Sequence, residues 1–246
     1  YRRAGARLFV REDGSTVGSI SGGCLENDVI EKAGKSMKSS KAVTAVFDMT
    51  SPDDDLWGYG QVYDPVGGCN GVIHVLLEPL QGLHASRTLR FIEECIDFRH
   101  MGVIASIFRA DGEMSVEVGS RVLSSHGTVE EDIRHPVLVS ALIEESERTL
   151  SEGTSRSREF RFTDGVVEAF IEIIQPPVSF ILVGAGTDAI PVTRLAKELG
   201  WQVTVVDHRP AFAHQERFPF ADRILVRRPE ELGDSLASDS LSVAVI

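Results

Sequence analysis

The chain has 246 residues, which at about 150 residues per domain allows one large or two modest domains. Hydrophobic residues make up 42% and charged residues 25%, with 22 Gly and 10 Pro, so collagen-like, disordered and disulfide-scaffold classes are excluded. Its 25 Lys and Arg against 37 Asp and Glu leave a net charge of -12, which repels a polyphosphate backbone and excludes nucleic acid as an expected partner. No run reaches 18 apolar residues and no signal-peptide pattern opens the chain, so no membrane association is expected and the cytoplasm is the expected compartment. Cysteines at 24, 69 and 95 are odd in number and read as free thiols in a reducing environment. A start at Tyr1 and a stop inside the apolar run 241–246 lead us to expect a piece of a longer chain.

The first 80 residues read as short strands and turns. Residues 6–10 and 16–20 are β-compatible on either side of the turn 11–14, which predicts a hairpin. A helix is expected to open near Cys24, because Leu25, Val29 and Ile30 recur at helical spacing with acids in the first turn. Residues 41–47 alternate as a strand. The segment 48–70, with Pro52, Asp53 to Asp55, Pro65 and several Gly, is too broken for regular structure, and loops of that length are usually functional or mobile. Residues 71–78 form a mostly apolar, central-looking strand. In the middle of the chain we expect a helix over 87–100, strands over 103–108 and 115–123 with a turn at Asp111-Gly112, and a helix over 129–150 interrupted by Pro136. Residues 158–163 and 167–174 form a hairpin around Asp164-Gly165. Gln175-Pro176-Pro177 is the best domain boundary, since two prolines cannot continue a ladder. The expected domains are therefore 1–176, an α+β domain, and 177–246, a Rossmann-like nucleotide-binding domain truncated at its C-terminus, within an overall α/β fold class.

The C-terminal domain carries a β-α-β pattern: a strand over 178–183, the G-x-G-x-x-A turn from Gly184 to Ala189, a helix over 190–199 and a strand over 202–206 reaching Asp207. Gly184 permits the tight turn, Gly186 lets backbone approach a pyrophosphate, and Ala189 permits close packing of helix on strand. Backbone N–H groups of Gly186, Thr187, Asp188 and Ala189 at the helix start suit an anion. Asp207, 21 residues beyond Gly186, is expected to accept ribose hydroxyls. Arg209 completes the expected cofactor-binding set.

Two thiols share a setting, Gly22-Gly23-Cys24 and Gly67-Gly68-Cys69. A helix start favours the thiolate of Cys24, the nucleophilic and metal-ligating form, and the glycines leave room for a bulky cofactor. Cys69 closes the long loop. These two are the candidate catalytic residues, with Gly22 and Gly23 as cofactor-binding, whereas Cys95 sits on the apolar face of a helix and reads as core. His74 on its strand reads as a sheet residue. The patterns of zinc hydrolases, serine hydrolases and P-loop enzymes do not occur.

Four segments carry a family resemblance: Tyr-Arg-Arg-x-Gly-Ala-Arg at 1–7, Gly-Ser-Ile-Ser-Gly-Gly-Cys-Leu-Glu at 18–26, Asp-Asp-Leu-Trp-Gly at 54–58, and Gly-Cys-Asn-Gly-Val-Ile-His-Val-Leu-Leu-Glu-Pro at 68–79. They resemble the XdhC/CoxI family of accessory factors for xanthine dehydrogenase and related molybdenum hydroxylases. The stretches 181–186, 203–210 and 217–222 are similar to that family's Rossmann domain. The resemblance implies binding of molybdenum cofactor (molybdopterin), help with its sulfuration by a cysteine desulfurase, and delivery to xanthine dehydrogenase or a related hydroxylase. It further implies Cys24 as a molybdenum ligand through that cofactor, and a homodimer. Soft thiolates suit molybdenum-sulfur chemistry, and no iron-sulfur cysteine set occurs, so an accessory protein is expected rather than a complete dehydrogenase. The alternative is an NAD(P)- or FAD-linked oxidoreductase that uses the C-terminal Rossmann domain.

Overall fold

The computed structural model describes residues 4–48, 71–80, 83–231 and 239–246. The chain divides into two compact units. One comprises residues 1–94 and 101–174, the other residues 95–100 and 175–246.

The first unit is α+β. Strands β1 (Leu8–Val10) and β2 (Thr16–Gly18) pair antiparallel as the expected hairpin. Helix α1 (Glu26–Ser39) packs Leu25 and Val29 against Ala45, Phe47 and Leu77 of an antiparallel ribbon. That ribbon consists of β3 (Val43–Asp48) and β4 (Val72–Leu77). The apolar run of β4 predicts a central strand, but among the described residues its only ladder is with β3, and Val72 and Ile73 are exposed. Apolar content marks a β-former; it does not say how many neighbours the strand has. Helix α2 (Leu83–Asp97) follows.

A five-stranded antiparallel sheet supplies the largest core. It contains β5 (Gly102–Gly112), β6 (Arg121–Ser125), β7 (Thr128–Glu131), β8 (Arg156–Phe162) and β9 (Gly165–Ile174), in the order β7-β6-β5-β9-β8. Helix α3 (Pro136–Glu152) lies on one face, with Leu138 and Leu142 fully buried among Val103, Ile107, Val122 and Ile171. Three expectations are corrected here. Pro136 does not interrupt a helix; it starts one, because its missing N–H falls among donors that have no helical acceptor, while the His135 Nδ1 caps Leu138 N–H at 3.1 Å. The segment ahead of it forms β7, joined to β6 by His126 and Gly127 with φ of 48° and 76°, the two-residue turn whose twist matches a hairpin. Finally, Asp111-Gly112 is not a turn but the end of the long β5, paired to Val166 and Gly165 across a bulge between Ile107 and Arg109, and the next strand starts only at Arg121.

The second unit is the Rossmann-like part. Strands β10 (Ser179–Val183), β11 (Gln202–Asp207), β12 (Arg223–Val226) and β13 (Ser242–Val245) form a wholly parallel sheet in the order β12-β11-β10-β13. Numbered within the unit this is 3-2-1-4, with its switch point between β10 and β13. Helix α4 (Ala189–Glu198) crosses from β10 to β11 and buries Ala189, Thr193 and Ala196; Phe180, Leu182, Val203 and Val205 complete this core. The second crossover, residues 208–222, is a chain of turns whose Phe218 is fully buried in the same core. No described helix is long and apolar enough to cross a membrane.

Candidate functional site

The loop before α1 is built around one carboxylate. Glu26 accepts hydrogen bonds from Ser19 Oγ at 2.9 Å, Ile20 N–H at 3.2 Å, Ser21 N–H at 3.0 Å and Gly23 N–H at 2.8 Å, and a fifth from Ser21 Oγ. Burial pushes the Glu26 carboxyl up, but the donors from Ser21 and Ser19 outweigh it and hold the group well below the ordinary carboxylate range. Gly22 and Gly23, with φ of 79° and 118°, let the chain curl around that carboxylate. Leu25 is 1% exposed and anchors the following helix, while its neighbour Cys24 is exposed at the loop's outer end.

This changes the reading of Cys24. The helix starts at Glu26, two residues beyond the cysteine, and the loop N–H groups go to the Glu26 carboxylate rather than toward the sulfur. Cys24 is presented by its loop rather than placed in the first turn of a helix. The signal for Glu26 was present in the sequence: an acid three residues after Gly23 is the spacing at which a carboxylate reaches back to a helix-entry N–H. Cys95 is fully buried, as expected for a core thiol. Cys69 and the triple acid at Asp53 to Asp55 lie outside the described residues. His74 sits on β4 with its ring edge-on to Phe108 at 5.3 Å. Among the described residues no group of three or more His, Cys, Asp or Glu could hold a metal ion.

In the second unit the glycine turn closes at the carboxyl end of the parallel sheet. Gly184, with φ of 111°, donates its N–H to Val206 O at 2.7 Å, which fixes the turn to the neighbouring strand. The Ala185 N–H donates to Asp207 Oδ2 at 2.8 Å. Arg209 covers the rest of that carboxylate, with N–H to Oδ1 at 2.9 Å, Nε to Oδ1 at 3.0 Å and a terminal nitrogen to Oδ2 at 2.8 Å. The guanidinium of Arg209, opposed by burial and helped by the Ala185 N–H, holds Asp207 well below the ordinary range. His208 Nδ1 lies 3.5 Å from Oδ1.

A carboxylate offers about four lone-pair positions, and these four bonds fill them on a side chain only 2% exposed. Asp207 therefore serves the turn, not an outward diol. Gly186 is also explained locally, since a Cβ there would meet the carboxylate of Asp188. The N–H groups of Gly186, Thr187 and Asp188 have no hydrogen-bond partner among the described residues, as befits the start of α4. The Thr187 hydroxyl accepts from Arg217 at 3.4 Å. Arg209 and Arg217 both place their guanidinium groups over the ring of Phe212, at 4.1 Å and 5.1 Å from its centroid. Phe212 and Arg217 are not among the residues expected at the site. Their sequence signals are proximity to Asp207 and, for Arg217, its place at the head of the stretch 217–222; the contacts themselves run between turns.

Comparison with known proteins bears on both units. The XdhC and CoxI family matches residues 1–48, and the XdhC Rossmann domain matches residues 180–246. This is a chain of the XdhC/CoxI type. A protein of Bacillus subtilis (strain 168), by name one of the subunits of a probable xanthine dehydrogenase, is 31% identical over 234 residues, covering 94% of this chain and 63% of that protein. A crystal structure of a xanthine dehydrogenase from Bacillus halodurans is similar at a TM-score of 0.72 and 27% identity, over 99% of this chain and 65% of that one. The present XdhC/CoxI-type chain thus spans less than two thirds of either relative. The Ser-Gly-Gly-Cys loop lies inside the first matched segment, and the glycine turn with Asp207, Arg209, Phe212 and Arg217 lies inside the second.

Proposed function

We propose that this chain is part of an accessory factor that binds molybdenum cofactor, assists its sulfuration together with a cysteine desulfurase, and hands it to xanthine dehydrogenase or a related molybdenum hydroxylase. The cofactor is cargo in this reading. The observation that carries it is the exposed thiol of Cys24 on a glycine loop ordered by Glu26, within the segment that matches the XdhC and CoxI family. A thiolate is a soft ligand suited to molybdenum, and the two glycines leave the space beside it open, since a Cβ at either would meet nothing within 4 Å. Cys69 is the second candidate catalytic thiol in this proposal. We further propose that the factor acts as a homodimer in the cytoplasm.

An NAD(P)- or FAD-linked oxidoreductase is favoured by one feature, the 3-2-1-4 sheet with its glycine turn. Fold alone does not carry a function, and the internal commitment of Asp207 takes away the usual ribose acceptor.

The deciding experiment is anaerobic purification of the protein from cells that make the cofactor, followed by mass spectrometry of the small molecules retained. Wild type should retain a molybdopterin species, and Cys24→Ser should lose most of it at unchanged circular dichroism. Retention of no pterin by wild type, or equal retention by Cys24→Ser, overturns the reading. A nicotinamide-dependent absorbance change would favour the oxidoreductase instead.

A further inference from the structure

The carboxyl end of the parallel sheet carries an unusual balance of charge for a chain of net charge -12. Its buried carboxylate, Asp207, is already neutralised by Arg209. Arg217 reaches from the second crossover to Thr187 in the glycine turn, and its Nε is buried without a hydrogen-bond partner among the described residues. Phe212, packed on the unit's core, carries both guanidinium groups over its ring. The contacts therefore close a circuit of Ala185, Asp207, Arg209, Phe212, Arg217 and Thr187. Arg227 and Arg228 follow the end of β12 at the same edge, and the Arg227 N–H donates to Asp207 O at 3.2 Å. Asp188 opposes them, and its carboxylate stands where a pyrophosphate would otherwise pass over Gly186.

Guanidinium groups held over an aromatic ring are pre-organised donors for phosphate oxygens, Arg217 through its terminal nitrogens and Arg209 through the nitrogen not bonded to Asp207. We propose that Arg209 and Arg217 form a site for a terminal phosphate monoester, set beside the tip of β11 and away from the turn at Gly186, and that this site selects the phosphorylated form of a ligand over the form with a free hydroxyl. Two chemistries present such a group, a dinucleotide phosphorylated on its ribose and a pterin with a terminal phosphate. Asp207 cannot support the unphosphorylated alternative, since its acceptor positions are filled. The site goes beyond the accessory-factor reading and does not depend on it.

The test is equilibrium dialysis of the full chain against two pairs of probes. One pair is NADP against NAD; the other is 6-hydroxymethylpterin phosphate against 6-hydroxymethylpterin. In at least one pair the phosphorylated member should bind about tenfold or more tightly, the ratio expected from one lost charge-assisted contact. Preference in the first pair assigns a ribose phosphate and preference in the second a pterin phosphate. Arg217→Gln, which leaves the Asp207–Arg209 pair in place, should abolish the preference without changing affinity for the unphosphorylated member. Arg209→Ala unpairs Asp207, so it is made together with Asp207→Asn and should give the same loss. Equal affinities within both pairs, no binding of any of the four probes, or an equal weakening of both members by Arg217→Gln overturns the site. Because the probes are added, an absence of co-purified pterin leaves this measurement intact.

Discussion

Two carboxylates organise two glycine turns in this chain, and the kind of donor each one uses separates them. Glu26 is held by main-chain N–H and serine O–H groups, all uncharged, so the Ser19 to Gly23 loop keeps a full negative charge, and the thiol of Cys24 in the same turn is exposed. Asp207 is held by main-chain N–H groups and an arginine side chain, so the turn at Gly184 is locally neutral and a further arginine stands beside it. The first arrangement orders the turn that presents the Cys24 thiol; the second leaves guanidinium groups that can meet an anion. Each turn is rigid for the same reason, a carboxylate saturated with donors. They differ in what remains free afterwards.

The comparison can be broken hardest at Asp207. Replacing it by Ala leaves the half-exposed Arg209 without its counter-charge and Ala185 N–H without an acceptor, at a cost of about 3 kcal/mol, the lower end of the range for a buried pair because solvent screens the freed guanidinium. Urea unfolding would measure it, and a loss below about 1 kcal/mol, no more than a typical single hydrogen bond, would mean the turn holds itself. Glu26→Ala removes five donor contacts but leaves the freed serines and N–H groups near water, so we expect a smaller loss of about 1–3 kcal/mol. Hydrogen exchange at Gly23 should speed up in that variant; unchanged protection there would dissociate Glu26 from loop order.

Acid sharpens the contrast next. Both carboxyls are held below their ordinary values of 4.5 for Glu26 and 3.8 for Asp207, so each stabilises the fold fully above that value and loses its contribution as pH falls below it. Glu172 goes the other way: burial raises it against the pull of Arg7, so its contribution is present at low pH and fades as pH rises through its folded value. A stability profile should therefore fall on acidification below about pH 4.5, and Glu26→Gln should flatten the upper part of that fall; a parallel profile in the variant contradicts the assignment. The smallest effect on the fold is expected at the thiol. Cys24→Ser, at an exposed loop position, should shift stability by no more than about 0.5 kcal/mol, while iodoacetamide should label Cys24 well before buried Cys95. Equal labelling rates in the folded protein would remove the presented-thiol picture.

Much of the fold is legible in the chain itself where local rules decide. The hairpin at Leu8–Val10 and Thr16–Gly18, and the strand, glycine turn, helix and strand of the Rossmann part, follow from alternation and glycine placement that tertiary contacts do not overrule. Local rules fail where one residue type serves two ends of an element. Pro136 can stop a helix or open one, and only His135 capping ahead of it tells which. The His126-Gly127 turn is hidden because His carries no strong turn preference, although Gly beside it does. At the site, spacing finds Asp207 but misjudges its task, because Arg209 lies only two residues away and its reach back onto the carboxylate is a rotamer choice that no spacing rule encodes. Arg217 opens one of the stretches that carry the resemblance, but its contact with Thr187, thirty residues earlier in the chain, follows from no spacing rule.

The sheet order has a consequence for how the protein is made. Strand β10 sits inside the sheet, between β11 and β13, yet β13 follows it by about sixty residues, which at a ribosome's pace of about 5–20 residues per second is roughly 3–12 s. For that interval one side of β10 is an open row of main-chain donors and acceptors flanked by Phe180, Ile181 and Leu182, the kind of edge on which chains pair wrongly with one another. Synthesis of this unit therefore passes through a vulnerable window that the hairpin-built sheet of the first unit shares only at β5, whose ladder to β9 waits comparably long. A nascent-chain binder would find its most adhesive target at residues 179–183.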